Sequence, residues 1–158
     1  MATFKEEISI LHKMRFLEND GDDIEVFENI LNELSKHGTN EIIPELCTIF
    51  EDDIAEPSAG DYLIETIFYI SKNNGLEEGL NKLAISIPKM LPHAEFWAER
   101  IHLTILNSKD LVEPYIKALE NVNSPTTKKK INDILVTIKE EDQDLYLEKV
   151  NFILARLS

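Results

Sequence analysis

A single cysteine, five scattered glycines and the absence of any long apolar run set the first limits on this 158-residue chain. Cys47 alone permits no internal disulfide and no zinc cluster built from the cysteines of one chain. Between Leu46 and Ile49 it reads as a small buried hydrophobe. A phosphate-cradling loop needs closely spaced glycines whose amides can approach the anion. Gly21, Gly38, Gly60, Gly75 and Gly79 are too dispersed to make one. No apolar stretch approaches the roughly eighteen residues of a membrane-crossing helix. The opening Met1-Ala2-Thr3-Phe4-Lys5-Glu6-Glu7 has no apolar core and two early acids, so no secretory leader is expected and a cytoplasmic location is. Apolar–polar alternation is missing, as are hairpin dipeptides between apolar runs, which argues against strands.

Positive charge is also scarce. Thirty acids face sixteen bases for a net charge of −14, a surface that repels nucleic acid and anionic lipid. The distribution is uneven. Residues 18–61 hold fourteen acids against the single base Lys36, a balance of −13, whereas residues 62–158 hold fourteen acids against twelve bases, a balance of −2.

What is abundant is helical periodicity. Phe4, Ile8, Leu11, Met14 and Leu17 form one stripe; Ile24, Phe27, Ile30, Leu31 and Leu34 form a second, opened by Asp22 or Asp23 as cap and stopped at Gly38. A short third helix carries Ile42 to Phe50, with Pro44 in its first turn, and Glu51 to Gly60 reads as an acidic loop. Later stripes centre on Ile64, Leu80, Ile101, Ile116, Ile134 and Val150, with Pro92 and the pair Ser124-Pro125 as starts, Pro88 as a stop and Ser108 as a cap. Phe68, Ile101 and Ile134 recur at 33-residue spacing, and so do Leu83 and Ile116. The expectation is one all-α domain over 1–158, with about nine helices in a solenoid-like stack of antiparallel pairs of the HEAT or armadillo kind.

Catalytic arrangements fail on residue supply. There is no Gly-x-Ser-x-Gly turn for a nucleophilic serine, and Cys47 has apolar neighbours rather than an activating base. His93 and His102 lie nine positions apart, roughly 900° of helix, on opposite sides. His12 and His37 stand apart from both, so the histidines are expected at the surface or half-buried. The trio Asp20, Asp22 and Asp23 lacks the glycine spacing and final glutamate of a calcium loop. Lys128-Lys129-Lys130 reads as a solvated helix face, and Trp97 as core rather than an interface anchor. Neither an enzyme nor a bound cofactor is expected.

The acids of 18–61 gather in two clusters at helix junctions. Asp20, Asp22 and Asp23 belong to the first; Glu51, Asp52, Asp53, Glu56 and Asp61 to the second. Alternate turns of an up-down stack emerge on the same edge, so both clusters are expected on one rim, as candidate partner-binding residues. Crowded carboxylates repel one another in the free protein, and a basic partner relieves that repulsion.

The segment Leu91-Pro92-His93-Ala94-Glu95-Phe96-Trp97-Ala98-Glu99-Arg100, continuing to Leu103-Thr104-Ile105-Leu106-Asn107, resembles the central helix of the immunity protein 30 family. Ile42-Ile43-Pro44-Glu45-Leu46 with Phe50-Glu51-Asp52-Asp53 is similar to its earlier helix and acidic loop, and the resemblance runs over about residues 24–120. It implies a small cytoplasmic bacterial protein, encoded beside a polymorphic toxin, that binds and blocks the toxin domain. With an acidic contact face, that domain would be basic, as a nuclease is. The other reading is a HEAT-like adaptor that holds a partner's helix or peptide in a groove.

Overall fold

A computed structural model describes residues 4–157, and among these every regular element is helical. The helices are α1 (Lys5–Lys13), α2 (Ile24–His37), α3 (Ile43–Cys47), α4 (Pro57–Asn73), α5 (Leu76–Ser86), α6 (Glu95–Leu106), α7 (Lys109–Glu120), α8 (Pro125–Glu141) and α9 (Gln143–Leu157). Short 3-10 turns, Asn40–Ile42 and Ile87–Met90, lead into α3 and follow α5.

Local chemistry accounts for most of the boundaries. Of the two candidate caps for α2, Asp23 is the one used: its Oδ1 accepts the Glu25 amide at 2.8 Å. Ser124 caps α8, its Oγ accepting from the Thr127 amide at 3.2 Å, with Pro125 at the first helical position. Gly38 ends α2, and a Cβ there would come within 2.6 Å of the Leu34 carbonyl oxygen.

Several expected bounds shift. Helix α1 stops at Lys13, so Met14 and Leu17 lie in the turn that follows it. Helix α3 ends at Cys47, and the acidic loop closes at Glu56 because Pro57 starts α4; Ser58 to Gly60 are therefore helical. Pro92 sits in the turn before α6 rather than at its start. Ser108 occupies the cap position of α7, but its hydroxyl makes no capping bond.

Neighbours alternate along the chain. Helix α2 lies against α4 and α6 against α8; α3 lies against α5, α5 against α7 and α7 against α9. The 33-residue positions fall on α4, α6 and α8 (Phe68, Ile101 and Ile134) and on α5 and α7 (Leu83 and Ile116), but α4 and α6 lack the close packing that the other alternate pairs share. One continuous core runs between them, from Leu11, Leu31 and Leu46 through Ile67, Leu83 and Trp97 to Ile116, Leu135 and Ile153.

Hydrogen bonds between turns define two edges. On one, Ala55 donates its amide to the Phe16 carbonyl at 2.9 Å, and Asp52 donates its amide to the His93 carbonyl at 3.1 Å. The turn after α1, the loop before α4 and the turn before α6 are thereby stitched together. On the other edge Asn40 Nδ2 donates to the Asn74 carbonyl at 2.9 Å, and Asn74 Nδ2 to the Gly38 carbonyl at 3.2 Å. That clasp is tight: a Cβ at Gly79 would meet Ser71 Oγ at 2.5 Å and Asn40 Oδ1 at 2.8 Å.

Candidate functional site

The acidic loop, residues 48–56, is held by its own backbone. Trp97 is buried in the core and donates its indole N–H to the Glu51 carbonyl at 2.9 Å. Its ring packs near Phe50 and stands nearly perpendicular to Phe96, at 83° and a centroid distance of 4.9 Å. Trp97 is thus core, as its helical context indicated. Phe96 is 54% exposed beside it.

The eight candidate carboxylates divide by what they touch. Glu51 takes a 2.9 Å ion pair from Arg15 Nε, with only 12% of its side chain exposed. Asp61 pairs with Arg100 Nε at 2.6 Å, about half in solvent. Asp52 accepts the Phe96 amide at 3.2 and 3.3 Å, in the first turn of α6, and Asp23 caps α2. Asp22 accepts the Asn19 amide at 3.1 Å within its own turn. Asp20, Asp53 and Glu56 are exposed, and their side chains have no hydrogen bond or ion pair among the described residues.

Part of the acid clustering therefore has a local physical cause. Helix N-termini carry partial positive charge and unpaired amides, and carboxylates beside them are stabilised. Asp23 and Glu25 sit at the start of α2, and Asp52 and Glu95 at the start of α6. Sequence reasoning gave all eight acids one role; the structure separates five with intramolecular partners from three without.

The remaining chemistry-bearing residues are accounted for. Cys47 is buried, and burial pushes its thiol up to about 12, which removes it as a nucleophile at neutral pH. His102 corrects the expectation of surface histidines: it is fully buried. Its Nδ1 donates to the Ala98 carbonyl at 2.7 Å, and its Nε2 accepts from the Tyr115 hydroxyl at 2.6 Å. Burial lowers the imidazole to about 4, so it is neutral at pH 7. The signal for it was the helical position of His102 beside Ile101 and Ile105, which puts it on the core side. His12, His37 and His93 are exposed. Among the described residues no three of His, Cys, Asp and Glu gather to hold a metal ion, the Asp20–Asp23 turn included. Lys129 pairs with Asp133 at 3.4 Å on the solvent side of α8.

A second feature was not anticipated at residue level. Helices α4 and α6 border a groove of about 870 Å³, lined by the Asp61–Arg100 pair and reaching Tyr146 at the start of α9. Asp61 thus belongs both to the acidic cluster and to the wall of the groove.

A family model described as immunity protein 30 matches residues 13–115, from the end of α1 to the middle of α7. No curated protein and no solved structure matches the chain.

Proposed function

This chain belongs to the immunity protein 30 family, and from that premise we propose that it binds and neutralises a cognate bacterial toxin domain through its acidic edge. The observation that carries the acidic part of this reading is the set Asp20, Asp53 and Glu56. These exposed carboxylates have no partner of their own among the described residues; Asp20 shares its turn with Asp22 and Asp23, and Asp53 and Glu56 share their loop with Asp52. Uncompensated like charge is relieved when a basic surface docks, and it accelerates encounter by roughly 10 to 10³-fold at low salt. The partner is then a basic toxin domain, a nuclease being the kind whose own substrate demands such charge. Neutralisation is by occlusion, without chemistry on the toxin, in the cytoplasm where the toxin would act. The alternation of helix neighbours supports reading the scaffold as a short solenoid-like stack, rigid enough to present the edge without rearrangement.

The test is kinetic. The toxin domain encoded beside this chain, purified inactive, should associate with it at a rate that falls steeply between about 50 and 200 mM salt. Reversal of Asp53 and Glu56 to lysine should remove most of that salt dependence and the protection of cells expressing the active toxin. Salt-independent association with undiminished protection would refute the acidic face. The adaptor reading is favoured by one observation, the α4–α6 groove, which the toxin reading also accommodates.

A further inference from the structure

Helices α4 and α6 are joined at the acidic edge, where Trp97 fills the space above Gly60 and Arg100 bridges to Asp61. Beyond those contacts their facing stripes border the open groove of about 870 Å³. Its floor is apolar, with Ile64, Phe68 and Leu111 buried beneath it. Its walls are amphipathic: Tyr69 is 53% exposed, and Leu103 and Tyr146 are half-buried. We propose that this groove anchors one segment of the partner polypeptide, an amphipathic stretch that is apolar where it enters and basic alongside. The inference rests on the toxin-binding reading and adds to it the surface that holds the complex together.

The lining itself balances Asp61 and Glu65 against Arg100 and Lys72, and the acidic excess that favours a basic occupant lies in the loop that precedes α4. The groove begins at Asp61, about one turn into α4, and α4 itself starts at Pro57 directly after the exposed Glu56 of the acidic loop. Glu65 stands exposed on the same wall, without a polar partner among the described residues. Of the two cations along the groove, Arg100 is already taken by Asp61 and only Lys72 remains, two turns beyond Glu65. A second copy of this chain, at −14, would bring acid against acid. A basic amphipathic segment meets carboxylate at the near end and aromatic and aliphatic surface within, which is the helix-in-groove mode of recognition. The two surfaces then have separable effects: exposed rim carboxylates act on the association rate, and desolvated aromatic contacts act on the dissociation rate.

The experiment measures both rates for the full chain against the purified toxin domain encoded beside it. Tyr69→Ala and Glu65→Lys change exposed side chains and leave the fold intact by circular dichroism. Tyr69→Ala should raise the dissociation rate about tenfold or more with the association rate within about twofold, while Asp53→Lys does the reverse. Replacement of Tyr69 by benzoylphenylalanine should give a photo-crosslink to the toxin domain. Unchanged dissociation of both variants and no crosslink, with wild-type binding intact, overturns the groove and leaves the acidic-face reading standing. Failure of the wild-type chain to bind overturns that reading, and the groove with it. A change in the sedimentation of the free chain on Tyr69→Ala would make the groove a self-contact and also overturn the proposal.

Discussion

The Trp97 indole occupies the space that any side chain at position 60 would fill, so Gly60 and Trp97 lock α4 to α6 at the base of the acidic loop. The same indole donates to the Glu51 carbonyl at 2.9 Å, so helix packing and loop position depend on one ring. A methyl group on Gly60 would overlap three indole carbons, and the ring is too enclosed to retreat. Gly60→Ala should therefore cost about 1–3 kcal/mol in urea unfolding. It should also raise hydrogen exchange in residues 50–56; a neutral substitution would mean that the ring has room to move.

His102 makes stability fall with acid. Its folded value is lowered to about 4 against an ordinary 6.5, so between those values the unfolded chain binds the proton and the folded chain does not. The stability is fully present above pH 6.5 and is lost as pH falls towards 4, by an amount on the order of 2–3 kcal/mol. Urea midpoints for His102→Gln should lack this component. Tyr115→Phe leaves Nε2 without its donor and should cost about 1–3 kcal/mol at pH 7.

Glu99 works in the opposite direction. Its carboxyl is raised to about 7 from an ordinary 4.5, first by burial and then by Glu141 of α8 and Glu95 one turn back. Lys130 and Asp133 of α8 line the same crevice. The folded state therefore holds a proton that the unfolded state releases. The associated stability is complete below pH 4.5 and is lost as pH rises through 7. Glu99→Gln should flatten the decline of thermal midpoint between pH 5 and 8. A parallel decline in the variant would assign it to other groups.

The acids of the edge should separate in a stability assay. Asp23→Ala removes the cap of α2, and Asp52→Ala removes the acceptor at the start of α6; each should cost about 0.5–2 kcal/mol. Asp20→Ala, Asp53→Ala and Glu56→Ala should stay within about 0.5 kcal/mol of the parent, since each is exposed and without a partner among the described residues. Charge reversal at Asp23 or Asp52 is thus a poor probe of binding, because lost folding would pass for lost contact.

The helices themselves were legible because the apolar period is a local property of the chain. Ile24, Phe27, Leu31 and Leu34 can share a face only on a helix, and Ser124-Pro125 marks a start whatever surrounds it. The family was legible for a related reason, since Leu91 to Asn107 is a contiguous segment within the matched residues 13–115. Boundaries shifted where a proline admits two readings: Pro57 begins α4, whereas Pro92 waits in a turn.

The amino-acid sequence by itself determined an all-α fold, a single cysteine and a charge excess concentrated in residues 18–61, because composition and periodicity need no partner to be read. Only the tertiary structure decided which carboxylates are free. Whether Glu51 meets Arg15, Asp61 meets Arg100 or Asp52 reaches the Phe96 amide depends on groups 36, 39 and 44 residues away. The same holds for the burial of His102 on Tyr115 and for the groove between α4 and α6, which exist only once packing has brought distant faces together.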